Sequence, residues 1–250
     1  MMYSHILTPH RLQAASVSFA FAALCAGGPL FAQQSPAALS PGEYVSEGSS
    51  GHLTLKPGKA GALNFAISST GDNGHTCSLE GEVRNGRAKL EGIDAKKPCI
   101  VTMTVTPDGI DVKGGPDDAC LIHCGVRATF EMVYFQPPEN CTNRAVAATR
   151  KTFKQRYDGK QFAEARALLE PMLKACDRTL NWLIKGRVRN DLAVTLHKLG
   201  DMAACRQVLQ PLADDAKLTD AGIRENYPPS DADMYLPIVR ATRTNLKLCS

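Results

Sequence analysis

Nine cysteines are spread over 250 residues, and eight of them lie beyond residue 32: Cys77, Cys99, Cys120, Cys124, Cys141, Cys176, Cys205 and Cys249. Cross-links among these positions would restrict the fold more than any other feature, provided the chain folds where thiols oxidise. The amino-terminal residues address that condition. Residues 1–32 hold no carboxylate, carry Arg11, and run apolar from Ala14 to Leu24 before the small Ala32. This is the pattern of a secretory signal peptide, with the mature chain beginning at Gln33. The apolar run of eleven residues is short of the ~20 that a spanning helix needs, and no later stretch is apolar enough for stable membrane insertion. With Cys25 inside the leader, 9 − 1 = 8 cysteines remain. An even set in an exported chain reads as a disulfide framework and implies a periplasmic or secreted protein.

The densest cysteine segment is CLIHCG, residues 120–125. If it were an extended strand, positions 120 and 124 would stand roughly 13 Å apart, beyond the ~7 Å that a disulfide bridges between Cα atoms. A direct Cys120–Cys124 bond therefore needs a bend, for which Gly125 offers positive φ. Otherwise each cysteine reaches back separately to Cys77 or Cys99. A zinc site built from Cys77, Cys99, Cys120, His123 and Cys124 is the alternative, but the paired CxxC spacing of zinc modules is missing. The expectation is a structural staple at the bend ending the sheet, with no metal and no cofactor.

Residues 33–136 read as a β domain. Runs such as HLTLK, ALNFAIS, TCSLEGEV, AKLEG, CIVTMTV, GIDVK and TFEMVYF are β-branched and separated by glycine-containing turns. Asn85-Gly86 and Asp108-Gly109 each stand between two runs and mark hairpins. Cys99, Val101, Met103 and Val105 alternate with Ile100, Thr102 and Thr104, giving one buried and one wet face. An antiparallel meander, closed as a barrel or folded as a compact sandwich, follows. Residues 137–144 form a linker that ends in helix-start residues.

From residue 145 to 250 the apolar period becomes helical, so the fold class is α+β in two domains. A shift of 40 residues aligns FAEARALLEPML, from Phe162, with MAACRQVLQPLA, from Met202, placing Ala165 on Cys205, Leu169 on Leu209 and Pro171 on Pro211. Each copy is a helical hairpin that gains stability by stacking on its neighbour. A last capping helix is expected within 231–249, with Pro237 in its first turn or starting it.

The stretch NDLAVTLHKLGDMAACRQVLQPL from Asn190 resembles a tetratricopeptide repeat, with Leu192, Ala193, Leu199, Gly200 and Leu209 in family-like places. YDGKQFAEARALLEPML from Tyr157 is a weaker copy. The resemblance spans about residues 145–216 and departs from the family in its period, 40 instead of ~34, and in Cys205, where a small alanine is usual. It implies stacked helix-turn-helix units. A groove in such an array would be lined by the first helix of each pair, which nominates Arg150, Lys154, Arg189 and His197 as protein-binding residues. In size, export, meander and bridges, the β domain is similar to small bacterial envelope domains such as lysozyme inhibitors, a likeness of architecture alone.

Charge divides the halves. Residues 33–142 carry 9 Lys+Arg against 13 Asp+Glu, and residues 143–250 carry 19 against 12, so the balances are −4 and +7. The basic half would suit an acidic partner, an anionic glycan or a membrane surface, or else is a solvated repeat surface, but nucleic acid is excluded by the compartment and by the lack of interleaved stacking aromatics. Trp182 reads as a core residue of a helix, or else as an exposed binding hot spot. Among the histidines, His75 in NGHTC and His123 in CLIHCG would converge if disulfides join their segments. They supply the only acid-base or metal centre on offer. No GxSxG, HExxH, Walker or dinucleotide motif accompanies them. The sequence points to an exported binder of another protein, in its most concrete form an inhibitor or immunity-type factor for an envelope enzyme. An assembly scaffold and a hydrolase or metalloprotein at His75 and His123 are the alternatives.

Overall fold

The computed structural model describes residues 38–115 and 118–250; the expected signal peptide, with Cys25, lies outside the described residues. Strand β1 (Gly42–Val45) precedes β2 (Gly51–Pro57), β3 (Leu63–Thr70) and β4 (Thr76–Val83), and these pair antiparallel in sequence order. A second sheet follows in the same manner, built from β5 (Arg87–Asp94), β6 (Lys97–Thr106), β7 (Gly109–Gly115) and β8 (Val133–Tyr134). The meander is as expected, but the sheets do not close into a barrel. Isolated backbone bridges join them at two seams, Arg84 with Arg87 at one and Val45 with Phe135 at the other.

The period-two pattern accounts for the shared core. Leu53 and Leu55 of β2, Phe65 and Ile67 of β3, Cys77 and Leu79 of β4, and Cys99, Val101 and Met103 of β6 all point inward and are buried. Each large side chain of this set contributes about 1.5–3 kcal/mol relative to its exposed state. Asn85 and Gly86 both adopt positive φ, 49° and 73°, as a two-residue turn joining twisted strands requires. The other hairpin turns one residue earlier than Asp108-Gly109 suggests. Thr106 pairs with Gly109, so Pro107 and Asp108 form the loop. TFEMVYF contributes only its Val133–Tyr134 pair to the ladder, whereas β1 carried too few β-branched residues to stand out.

Helix α1 (Asn143–Asp158) and α2 (Phe162–Ala175) form one antiparallel hairpin, and α3 (Trp182–Lys198) and α4 (Met202–Leu209) form the next. The 40-residue shift is exact at the second helices, which begin at Phe162 and Met202. Ala165, Leu169, Cys205 and Leu209 are fully buried, as the alignment requires. The tight turns are equivalent too: Lys160 has φ 60° where Gly200 has φ 77°. The prolines diverge, because α2 runs through Pro171 to Ala175, while α4 stops before a 3-10 turn, Gln210–Leu212.

After α5 (Ala213–Lys217) and α6 (Asp220–Asn226), the long α7 (Pro229–Leu248) packs on α3. It begins earlier than expected, so Pro237 falls within the helix rather than in its first turn. Gly186 lets α7 approach, since a Cβ there would lie 2.8 Å from Ile238 Cγ2. A buried polar knot fixes the register. Asn190 Nδ2 donates to Gly186 O and Thr242 Oγ1, and Asn245 Nδ2 donates to Asn190 Oδ1 at 2.9 Å.

The two halves meet through backbone-level contacts. Gly48 N donates to Arg178 O at 2.7 Å, and the Ser49 hydroxyl donates to Thr179 O. The Arg178 guanidinium lies 4.1 Å from the Phe135 ring centroid. Asn73, in a 3-10 turn between β3 and β4, accepts from Ser230 N (3.2 Å) and Ser230 Oγ (3.0 Å), capping α7 from a distance of 157 residues in sequence.

Candidate functional site: a loop braced by two disulfides

Four disulfides consume the eight cysteines of the described residues: Cys77–Cys124, Cys99–Cys120, Cys141–Cys176 and Cys205–Cys249. The last two tie the segment before α1 to the end of α2, and α4 to the end of α7. The first two answer the question of CLIHCG. A direct Cys120–Cys124 bond does not form, and each cysteine reaches back to a different sheet, Cys120 to β6 and Cys124 to β4, over Cα separations of 4.6 and 4.0 Å. The segment lies between β7 and β8 rather than at the end of the sheet. Four bridges of this kind suit an oxidising, extracytoplasmic space, and among the described residues no helix is long and apolar enough to cross a membrane.

Between the two anchors the chain makes one 3-10 turn, Leu121–His123, held by Leu121 N to Asp118 O and His123 N to Cys120 O. Its flanks are bonded as well: Ile93 N donates to Ala119 O, and Gly125 N donates to Thr76 O at 2.8 Å. The bend does not come from Gly125, which is not in the positive-φ region. Glycine is needed because a Cβ at 125 would lie 2.7 Å from His75 Nδ1 and 3.2 Å from His75 Cβ.

This frame presents apolar side chains to solvent, flanked by the exposed Asp118 and Arg127. Leu121 is 55% exposed, Ile122 48% and Val126 91%, with Ile93 at 58% on the adjoining end of β5. Hydrophobic side chains so exposed gain nothing for the fold. The two histidines serve the frame: His75 packs on Gly125, and His123 Nε2 lies 2.9 Å from Glu91 O. Each thus has a local role, and the neighbouring cysteines are bridged instead of offering thiolates. Among the described residues no cluster of three or more His, Cys, Asp or Glu is arranged to hold a metal ion.

The four nominated helix residues do not form one surface. Arg150 and Lys154 line a 370 Å³ cleft between α1 and α3 with Phe153, Tyr157, Asp191 and Val194. Both cations are already answered, Arg150 by Asp191 at 3.7 Å and Lys154 by Asp158 at 2.7 Å. Burial outweighs the Arg150 attraction and holds the Asp191 carboxyl above its ordinary range. Arg189 faces a different cavity, of 470 Å³ among α2, α3 and α4, where it donates to Val208 O and burial lowers its guanidinium pKa. His197 lies one turn beyond Val194 on α3, with a buried Nδ1 that has no partner, as has Arg150 Nε.

Trp182 opens α3 and is 40% exposed, stacked on Tyr227 at 5.9 Å and tilted against Tyr235 at 4.9 Å. Asp215 accepts hydrogen bonds from both tyrosine hydroxyls, at 2.8 and 2.7 Å. Burial and that carboxylate push Tyr227 up to about 12. The cluster holds α5, α6 and α7 together, so the tryptophan is neither a core residue nor a free anchor.

Sequence reasoning identified the staple and passed over its contents. The available signal was the pair Leu121-Ile122 between cysteines bound for different strands, a place where burial is sterically hard. No family model, curated protein or solved structure matches this chain.

Proposed function

We propose that this chain is an exported, periplasmic protein-binding factor that acts by occlusion. The tip Leu121, Ile122 and Val126 enters a cleft of a partner protein, most concretely an envelope or secreted enzyme that the factor inhibits. The observation that carries this reading is the exposed apolar pair Leu121-Ile122 held on both sides by a disulfide, with Val126 just beyond the second. Exposed apolar area gains free energy only on burial in a partner, and a pre-ordered loop avoids the entropy loss that weakens flexible ones. Apolar anchors seated in pockets dominate protein interfaces, and the net −4 of residues 33–142 favours a partner whose cleft is rimmed by cations. The tetratricopeptide-like hairpins then act as a rigid mount.

The test uses tagged mature chain, envelope extract and quantitative mass spectrometry, followed by an activity assay on the enzyme that co-purifies. One enzyme at near-equal abundance, inhibited by wild type, is expected. A Leu121→Ser/Ile122→Ser variant with an unchanged melting temperature should bind it ~30-fold or more weakly, a loss of about 2 kcal/mol. Undiminished binding and inhibition by that variant would sink the loop reading. The second reading, a scaffold using the α1–α3 cleft, is favoured by the unpartnered Arg150 Nε and His197 Nδ1. It requires Arg150→Ala and His197→Ala to weaken the complex instead.

A further inference from the structure

The β half carries a second feature, on a different part of the sheets from the braced loop. Where the meander passes from the first sheet to the second, the backbones of β4 and β5 are bridged at Arg84 and Arg87 around the Asn85-Gly86 turn. The sheets part there and leave a cavity of 630 Å³. Its floor is core: Val83 and Met103 are buried residues of β4 and β6. Its walls are Leu39, Leu63 and Val105, which are only partly buried. Two glycines on the rim, Gly61 and Gly86, have φ of 77° and 73° and add no side chain to fill it. The opening is bordered by Ala38 and Leu39, whose segment is held by Tyr44 OH donating to Ser40 O at 2.8 Å.

The chemistry of the lining narrows the occupant. Among the described residues no ionisable side chain lines this cavity, unlike the two helical cavities, which hold Arg189 with Glu170 and Arg150 with Asp191. A charged or richly hydroxylated ligand would lose its hydration here without compensation. The apolar side chains of its floor and walls offer an alkyl chain a surface to bury, and the volume falls in the range of roughly 300–1,000 Å³ usual for small-molecule sites. Among the described lining residues the side-chain polar groups are at the edge, on Asn85 and Thr104, both exposed. We propose that this cavity binds the alkyl chain of a single-chain amphiphile, tail on Val83 and Met103, head group at Asn85 and Thr104. The site is independent of the partner-binding loop.

The oxidised mature chain would be titrated calorimetrically with sodium decanoate and with 1-decanol, each below its aggregation limit. Saturable one-to-one binding is expected, shared by both if the tail is what the site recognises and confined to decanoate if a fatty-acid head is also read. Leu63→Trp, which fills the cavity, should weaken binding at least ~10-fold. Because that variant perturbs β3, location is read independently on wild type: a decanoate spin-labelled on its chain should broaden the methyl resonances of Leu63, Val83 and Met103 and spare Leu121 and Ile122. Absence of saturable binding by either probe, or broadening centred on Leu121 and Ile122, overturns the proposal.

Discussion

Gly125 shows how a residue chosen for one reason in a sequence serves another in the fold. Its neighbour His75 occupies the space where a Cβ would go, so Gly125→Ala should cost about 1–3 kcal/mol through overpacking. The cost should shrink in a His75→Ala background, where the obstructing ring is gone and only the Cβ contact remains. Thermal or urea melts of the four proteins complete the cycle; an unchanged cost in the second background would mean that His75 is not the obstacle. At Lys160 the sign is reversed. A lysine at φ 60° bears the Cβ strain of the left-handed region, so Lys160→Gly should raise stability by about 1 kcal/mol. The sequence shows a glycine at 125 and 200 but not whether a turn or a close neighbour demands it, because the neighbour at 75 arrives through a disulfide fifty positions away in the chain.

At the level of elements, α7 is held to α3 by shape and by buried polar groups together. Asn190→Leu would leave Asn245 Nδ2 without its Oδ1 acceptor and Thr242 without its Nδ2 donor, at a cost of about 1–3 kcal/mol measured by denaturant unfolding. A second clasp joins α6 to α7: Asp220 accepts from Arg240 Nε at 2.8 Å and Arg243 at 2.6 Å, bonds that hold its carboxyl below the ordinary range. A depressed carboxylate stabilises the fold above its unfolded pKa of about 4, and that contribution fades as pH falls through the folded value. Asp220→Asn should therefore melt lower than wild type at pH 7, with the gap closing under strongly acid conditions. Hairpin pairing and the 40-residue stacking were legible in the sequence because periodicity encodes them locally. The α7 start at Pro229 was not, since no side chain of its own first turn caps it and the capping atom belongs to Asn73.

Across the whole molecule, that cap makes the two halves thermodynamically dependent. Asn73 Oδ1 satisfies Ser230 N, while Gly48 and Ser49 fasten the α2–α3 connection. Wild type should unfold in one calorimetric transition. An Asn73→Ala/Ser49→Ala variant loses an N-terminal cap worth ~1 kcal/mol and a hydrogen bond of similar worth, and its van't Hoff enthalpy should drop below its calorimetric enthalpy as the halves begin to separate. Equality of the two enthalpies in the variant would show that the remaining contacts suffice. Half of the architecture, β then α, could be inferred from composition and period, but the seam could not: it rests on an asparagine, a glycine and a serine that each look like ordinary turn residues. The braced loop has a different consequence. Cys120 and Cys124 fix the path of Leu121 and Ile122 between them, and neither these two nor Val126, two residues past Cys124, takes part in the core. Their identities are therefore free to change without endangering the scaffold, so descendants of this gene can diversify the tip, and a library varied at those three positions would retarget it.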